Sequence, residues 1–203
     1  MSMKISLAVE SDIDEAVAKR LAGTIGAEIS AVYGKKGKSF LRQHISAWNN
    51  AARFAPWLVL VDLDHDADCA PLLRSNWLRS PVPWFCFRVA VREVEAWLLA
   101  DTEAIAQFFR LSVKKIPRFP EQLNDPKQTL INLARLCRKR AIREDIVPRP
   151  GSGRNVGPGY TSRMIEFIEN FWRPEVAAQE AESLKRALNC IRRLISNDGV
   201  ILQ

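Results

Sequence analysis

Short apolar runs alternate with amphipathic segments through the first half of the chain. Four runs are rich in Val, Ile, Leu and Ala, which is typical of the buried strands of a parallel sheet. Between them, apolar residues recur at spacings of three and four, which predicts amphipathic helices. The predicted strands are 3–9, 27–33, 57–61 and 84–91. This alternation predicts an α/β fold, a mostly parallel sheet flanked by helices.

The helix boundaries follow from capping residues and from glycine. The first helix is predicted to begin at Ser11 and Asp12, with Asp12 and Glu15 forming a capping box. A short helix is predicted over 67–78, and one continuous helix over 92–109. These acidic residues at the first helix are therefore interpreted as structural.

The strand signal fades after Arg110, and amphipathic helices separated by prolines follow. The segment Pro148 to Gly159 is rich in proline and glycine, which predicts a loop. We expect two parts, an α/β core over 1–110 and a C-terminal helical annex over 111–203, packed on the core.

The third predicted strand ends in acids at alternate positions, Asp62, Asp64 and Asp66. Alternate residues of an extended strand share a face, so these carboxylates are predicted to converge. Such a group is costly without a cation, and Mg2+ takes oxygen ligands of this kind. An acidic turn at a strand end is the alternative, and on spacing alone the two interpretations stay open.

Glu10 stands at the end of the first predicted strand. Because sites in parallel sheets form at the carboxyl ends of strands, Glu10 is expected to lie near Asp62 and Asp64. Arg92, Glu93 and Glu95 follow the fourth strand and are expected at the same edge. For the two glutamates, a helix N-terminus that favours acids is an equal alternative.

The net charge of +7 is unevenly distributed. Thirteen Lys or Arg stand against four Asp or Glu between Arg110 and Arg163, a local balance of +9. A basic second half beside acids favours an enzyme that holds nucleic acid or a polyphosphate. A basic solvated surface is an equal alternative.

Two further segments are candidate phosphate contacts. The stretch Gly34 to Ser39 ends in G-K-S, but Val32 stands where a P-loop needs its first glycine, so we reject a P-loop. Lys35, Lys36 and Lys38 can still hold phosphate at a helix N-terminus. Arg154, in the glycine-rich loop, is a further candidate. Solvated or disordered loops are the alternatives.

Cysteine usage and hydropathy suggest a cytoplasmic protein. The four cysteines are far apart and form no C-x-x-C pair, so we expect reduced packing residues. No run approaches the ~18 apolar residues of a membrane span, and the N-terminus shows no signal-peptide layout. No membrane partner is expected.

The chain resembles the TOPRIM fold of topoisomerases, primases and OLD-type nucleases in its first-strand Glu10, its D-x-D after the third strand and the helices between. The segment Val91 to Asp101, with Ser183 to Leu188, more narrowly resembles a bacterial TOPRIM-like family of unknown function, DUF4276. The resemblance covers most of the chain. Ser11 departs from the pattern, since enzymatic members often carry glycine there.

The resemblance implies a Mg2+ or Mn2+ site. In it Glu10 moves the proton of the phosphoryl chemistry, and Asp62 and Asp64 are metal ligands. Within the narrower family the E-x-E-A-W segment recurs, so Glu93 or Glu95 completes the site.

We therefore expect metal-dependent phosphodiester hydrolysis on nucleic acid. One alternative is a non-catalytic nucleic-acid-binding subunit beside an ATPase partner protein. The other is a phosphohydrolase that acts on a small nucleotide.

Overall fold

The computed structural model describes residues 3–196 of the chain. Four strands form one sheet in the order β2-β1-β3-β4, and every neighbouring pair is parallel. The strands are β1 (Met3–Val9), β2 (Ala27–Gly34), β3 (Trp57–Asp62) and β4 (Phe85–Ala90). The helices are α1 (Asp12–Thr24), α2 (Lys38–Ala51), α3 (Ala70–Trp77), α4 (Val94–Ala100), α5 (Thr102–Phe109), α6 (Pro126–Arg135), α7 (Arg140–Ile146), α8 (Tyr160–Asn170), α9 (Pro174–Ala177) and α10 (Glu182–Ile195).

The predicted α/β class, with a parallel sheet flanked by helices, is confirmed. It is consistent with the TOPRIM-like arrangement that the resemblance implies. The four predicted strands are present with boundaries shifted by at most one residue at either end. The loop predicted over 148–159 also contains no helix or strand.

Contacts divide the chain into two units. The first unit is the chain up to Val91 together with the chain from Ser183 onward, and the second unit is Arg92–Glu182. The last helix, α10, therefore belongs almost entirely with the sheet. The division expected from the sequence, 1–110 and 111–203, stays a prediction.

The sheet of the first unit is buried on both faces. Val59, Val61 and Phe87 point to one face and join a cluster with α2 and α3. Side chains alternate along a strand, so Leu58 and Cys86, which pair in register, point to the other face. Both are buried, which is why these strands lack the polar alternation of half-exposed ones.

The start of α1 differs from the prediction. Ser11, not Asp12, is the N-cap, and its hydroxyl accepts from the Asp14 amide, while the Asp14 carboxylate accepts from the Ser11 amide at 2.8 Å. This reciprocal pair is the capping box. Glu15 instead binds Lys19 and Lys35. The sequence contained two overlapping capping patterns, and the earlier one is formed.

The continuous helix predicted over 92–109 is also wrong. It is broken at Asp101, which separates α4 from α5 and caps α5 by accepting from the Ala104 amide at 3.2 Å. The carboxylate of Asp101 is fully buried and accepts from the Arg173 guanidinium and from the Arg173 amide. Because this partner is 72 residues away, local periodicity could not reveal the break.

The second unit has its own aromatic core. Trp97 and Trp172 are fully buried, and the Trp172 indole donates to the Trp97 carbonyl at 3.1 Å. Phe108 packs against Phe167 and Phe171, with ring centroids 5.3 and 5.4 Å apart. Helices α4, α5 and α8 are thus held by packing rather than by propensity.

One expectation about cysteine is corrected. Cys86 on β4 and Cys190 on α10 form a disulfide, with Cα atoms 6.0 Å apart. The two residues are separated by 104 positions, so spacing could not indicate the pair. Cys69 and Cys137 are free thiols.

Within residues 3–196, no helix combines the length and the apolar character needed to cross a bilayer.

The disulfide predicts a thiol count. Protein purified without reductant and alkylated after denaturation should modify Cys69 and Cys137 alone, whereas reduced protein should modify four cysteines. Replacing Cys86 and Cys190 by serine should cost about 2–4 kcal/mol of unfolding free energy, because the bond constrains the unfolded chain. Mass spectrometry counts the alkylated cysteines, and urea unfolding measures the free energy of unfolding. Four modifiable thiols before reduction would contradict the disulfide.

Candidate functional site

The ends of β1 and β3 lie side by side in the first unit. Glu10 directly follows β1, and its carboxylate accepts a hydrogen bond from the Asp62 amide at 2.9 Å. The parallel pairing of the two strands explains this contact, since their carboxyl ends meet at one edge of the sheet. The structure therefore brings Glu10 to Asp62, the first acid of the D-x-D motif.

The acids after Asp62 are brought together by a turn rather than by a strand. β3 ends at Asp62, and Asp64 has a left-handed backbone with φ 47°. The Asp66 amide donates to the Leu63 carbonyl at 3.2 Å, which closes the turn. The predicted alternation of an extended strand is thus wrong beyond Asp62. A tight turn is favoured there because Asp tolerates the left-handed region better than most residues.

Lys38, the first residue of α2, bridges two of these acids. Its ammonium lies 2.5 Å from Asp64 Oδ2 and 2.8 Å from Asp66 Oδ2. The Lys38 side chain is 16% exposed, so these contacts are less screened than those of an exposed pair. Burial works against its charge, but the hydrogen bonds to Asp64 and Asp66 outweigh it and raise the pKa of Lys38.

Glu10 lies within the field of the same charges. Burial is the largest cause that raises the pKa of Glu10, and the carboxylates of Asp64 and Asp66 add to the rise. The Asp62 amide and the Lys38 ammonium oppose it. The net rise means that Glu10 holds a proton more readily than an exposed glutamate.

An open cleft of about 550 Å³ borders this group of charges. Lys38, Arg42, Asp64, Asp66 and Trp77 are among the residues that line it. Arg42 was not a candidate at the sequence level, although its position one turn after Lys38 on a helix could have indicated it. The cleft offers both carboxylates and cations to a ligand.

The other lysines of the glycine-lysine turn have different contacts. Lys35 binds Asp12 and Glu15 of α1, at 3.0 and 2.5 Å. Lys36 lies over the Phe40 ring, 5.1 Å from its centroid. Lys38 alone among the three contacts the D-x-D acids. The predicted role of all three in substrate binding stays a prediction.

Among the described residues, no group of three or more acids, histidines and cysteines is arranged to hold a metal ion. Lys38 occupies the space between Asp64 and Asp66 that a cation would need. The donors nevertheless suit Mg2+ in kind, because they are carboxylate oxygens at one sheet edge. Metal binding by Glu10, Asp62, Asp64 and Asp66 stays a prediction.

Glu93 and Glu95 belong to a group of charges in the second unit. Lys127 contacts both carboxylates, at 2.8 Å for Glu93 and 3.5 Å for Glu95. The Lys127 amide also donates to Glu93 at 3.0 Å. Glu95 is 2% exposed, and its Oε1 accepts from the Tyr160 hydroxyl at 2.9 Å.

Glu95 is unusual because its second oxygen has no hydrogen-bond donor in the described part of the chain. Burial, with the neighbouring Glu93 charge, raises the pKa of Glu95 to about 7, although Lys127 opposes the rise. Burial and the Glu95 charge also raise the pKa of Tyr160. No sequence pattern indicated Lys127 or Tyr160 as partners of these glutamates. The predicted metal-ligand role of Glu93 and Glu95 is untested.

Arg92 and Arg154, the remaining candidates, also lie in the second unit. Arg92 has a left-handed backbone with φ 61°. Arg154 lines a cleft of about 270 Å³ with Arg149, Ser152 and Val156. A role in substrate binding stays a prediction for both.

Comparison with known proteins gives one distant likeness. The chain is similar to the C-terminal region of the OLD protein of Xanthomonas campestris pv. campestris, at 14% identity over 96% of this chain and 94% of that chain, with a TM-score of 0.43. A likeness at this level carries no argument about function. No family model matches the chain, and no curated protein matches it.

The raised pKa of Glu95 predicts that the stability of the protein depends on pH. The pKa of Glu95 in the folded protein is raised above 4.5. The contribution of its protonation to the free energy of unfolding is therefore full below pH 4.5 and is lost as pH rises through about 7. Glu95→Gln, which is neutral at every pH, should therefore match the wild type at pH 4. At pH 8 it should be more stable by about 1–3 kcal/mol. Urea unfolding between these values measures the difference.

Glu103→Gln is the matched control, since Glu103 is 72% exposed. It should leave the pH dependence of the wild type unchanged over the same range. An equal pH slope in wild type and Glu95→Gln would contradict the shifted pKa.

Proposed function

We propose that the protein is a divalent-metal-dependent nuclease that hydrolyses phosphodiester bonds, and that it belongs among the TOPRIM-like proteins of the DUF4276 type. The observation that carries the proposal is the meeting of Glu10 with the D-x-D acids at the carboxyl edge of the sheet. The supporting observation is the adjoining cleft, where Lys38 and Arg42 stand beside Asp64 and Asp66.

The roles follow from the chemistry of the side chains. Asp62 and Asp64, with Asp66, are the proposed ligands of Mg2+ or Mn2+. When bound, such an ion neutralises charge on a phosphate and orients it. Glu10 is the proposed proton carrier, because its carboxylate lies beside Asp62 at the same edge. Arg42 and Lys38 would hold phosphate oxygens through charge-assisted hydrogen bonds.

Lys38 is central to this proposal. A cation that binds Asp64 and Asp66 must replace the ammonium that now lies between them. Lys38 would then be released to contact the substrate phosphate from the wall of the cleft. In this proposal Lys38 neutralises Asp64 and Asp66 when no metal is bound, and it would contact the substrate phosphate when metal is bound.

A second candidate function is favoured by the same ion pairs. Because Lys38 already satisfies Asp64 and Asp66, the fold needs no metal to tolerate these acids. A subunit that binds nucleic acid without cleaving it, beside an ATPase partner, would fit that state. It would bind in a salt-dependent manner and show no turnover.

Cleavage is the direct test. The purified protein should cleave labelled single- or double-stranded DNA or RNA with Mg2+ or Mn2+, and EDTA should stop it. The double variant Asp62→Ala with Asp64→Ala should lower the rate by about 10²–10³-fold, because charge stabilisation is lost. Asp68→Ala is the matched control, an exposed acid of the same segment, and should keep the rate.

No cleavage of any substrate, or equal cleavage by the double variant, would remove the nuclease proposal. The same assay with nucleoside triphosphates in place of the nucleic acid distinguishes a small-molecule phosphohydrolase from a nuclease. Salt-dependent binding without cleavage would favour the non-catalytic subunit.

Competition between Lys38 and the metal has its own test. Lys38→Met leaves Asp64 and Asp66 without their shared cation, so the variant should lose about 1 kcal/mol of stability in EDTA. Mg2+ should restore this loss and raise the melting temperature of the variant more than that of the wild type. Lys36→Met, whose ammonium contacts Phe40 instead, is the control. An equal Mg2+ shift in all three proteins would argue against metal at these acids.

A further inference from the structure

A group of arginines lies near Arg88 of β4. Arg88 is the polar member of β4, between the buried residues Phe87 and Val89. Those two neighbours point into the cluster with α2 and α3, so Arg88 points to the other face, like Cys86 two positions earlier. An arginine in the middle of a buried strand is costly unless something compensates its charge.

Two tethers place α10 beside Arg88. The Cys86–Cys190 disulfide fixes the middle of α10 to the start of β4. The Ser183 hydroxyl accepts from the Val91 amide at 3.2 Å, which fixes the start of α10 just beyond the end of β4. The helix therefore runs antiparallel to the strand, and Arg88 lies between the two tethers.

The same helix carries two arginines on the side of its disulfide cysteine. Arg186 and Arg193 stand four residues before and three residues after Cys190, and both side chains are exposed. Arg74 on α3, which packs against the other face of β4, is a fourth member because its charge acts on Arg88. We call Arg74, Arg88, Arg186 and Arg193 the arginine cluster.

The cluster contains buried nitrogen atoms without acceptors. Arg74 Nε and Arg88 Nε are buried, and neither has a hydrogen-bond partner within residues 3–196. Burial is the largest cause that lowers the pKa of Arg88 to about 10, and the charges of Arg74, Arg193 and Arg186 contribute to this decrease. Buried hydrogen-bond donors normally have an acceptor, so we expect an anion to accept from these two Nε atoms.

We propose that the arginine cluster is a binding site for a phosphate group. Guanidinium groups present planar forks of N–H donors that match phosphate oxygens, and a dianionic phosphate offsets more than one positive charge. Several neighbouring guanidinium groups suit an anion with three or four oxygens better than a single carboxylate. The phosphate can belong to a small phosphorylated molecule or to a nucleic-acid backbone.

The site is distinct from the acidic cleft. Leu73 and Trp77 of α3 line the cleft, whereas Arg88 lies on the opposite face of the sheet. Phosphate binding by the cluster therefore does not depend on the proposed nuclease activity. An Asp62→Ala, Asp64→Ala variant should keep it, so the two proposals can fail separately.

Titration calorimetry with inorganic phosphate and with pyrophosphate, at fixed ionic strength, tests the proposal. The wild type should show saturable binding, and Arg88→Gln should weaken it by about tenfold or more. Arg186→Gln changes an exposed helix position and should also weaken binding several-fold. Arg140→Gln removes the same charge from an exposed arginine paired with Glu144 and should bind like the wild type.

Two results would overturn the site. One is the absence of saturable phosphate and oligonucleotide binding by the wild type. The other is equal binding by the wild type, Arg88→Gln and Arg186→Gln, which would assign the affinity to net charge. Since Arg186 is exposed, Arg186→Gln should fold, and the second result remains decisive even if Arg88→Gln fails to fold.

A short single-stranded oligonucleotide separates the two sources of phosphate. Tight binding of pyrophosphate with loss in both variants assigns the site to a small phosphorylated molecule. Binding of the oligonucleotide alone, again lost in both variants but kept in Arg140→Gln, assigns it to backbone phosphates.

Discussion

Like charges gathered at the carboxyl edge of a parallel sheet must be neutralised, and Lys38 meets this constraint in the first unit. Its ammonium contacts Asp64 and Asp66 and lies in the field of Glu10. Without a cation at this point, three carboxylates would repel one another in a partly buried environment. The first turn of α2, which carries Lys38, therefore stabilises these acids at the sheet edge to which β1 and β3 bring them.

The second unit meets the same constraint in a different way. Glu95 is too deeply buried for one lysine to hold it ionised, so its pKa rises instead. Lys127 is shared with Glu93, and Tyr160 donates to one Glu95 oxygen. The arginine cluster, in the first unit, is the opposite case, because there the charge is positive and neither Arg74 Nε nor Arg88 Nε has a hydrogen-bond acceptor within the described chain.

The sequence predicted what local patterns can encode. The strands and the parallel character of the sheet followed from the apolar runs, and the contact of Glu10 with Asp62 followed from parallel strand ends. It could not predict contacts between distant residues. The break at Asp101 depends on Arg173, and the disulfide joins Cys86 to Cys190. In each case the decisive partner lies at least 72 positions away, beyond any helical or strand period.

Two predictions, for the start of α1 and for the D-x-D segment, were wrong for a local reason. Ser11 and Asp12 are both good caps, and each has an acid three positions later, so two registers competed for α1. The D-x-D segment fits either a strand or an acidic turn, and the spacing of the acids alone could not decide between them. The turn is formed because it lets one ammonium reach two carboxylates.

The turn after β3 also shows how conformation and charge support each other. Asp64 holds φ at 47°, a region that costs a residue with a Cβ roughly 1–2 kcal/mol. The hydrogen bond from the Asp66 amide to Leu63 and the two contacts of Lys38 offset this cost. A cation that replaces Lys38 must therefore satisfy Asp64 in the same left-handed conformation, or the turn will relax. The proposed metal binding and the turn geometry thus depend on the same contacts of Asp64 and Asp66.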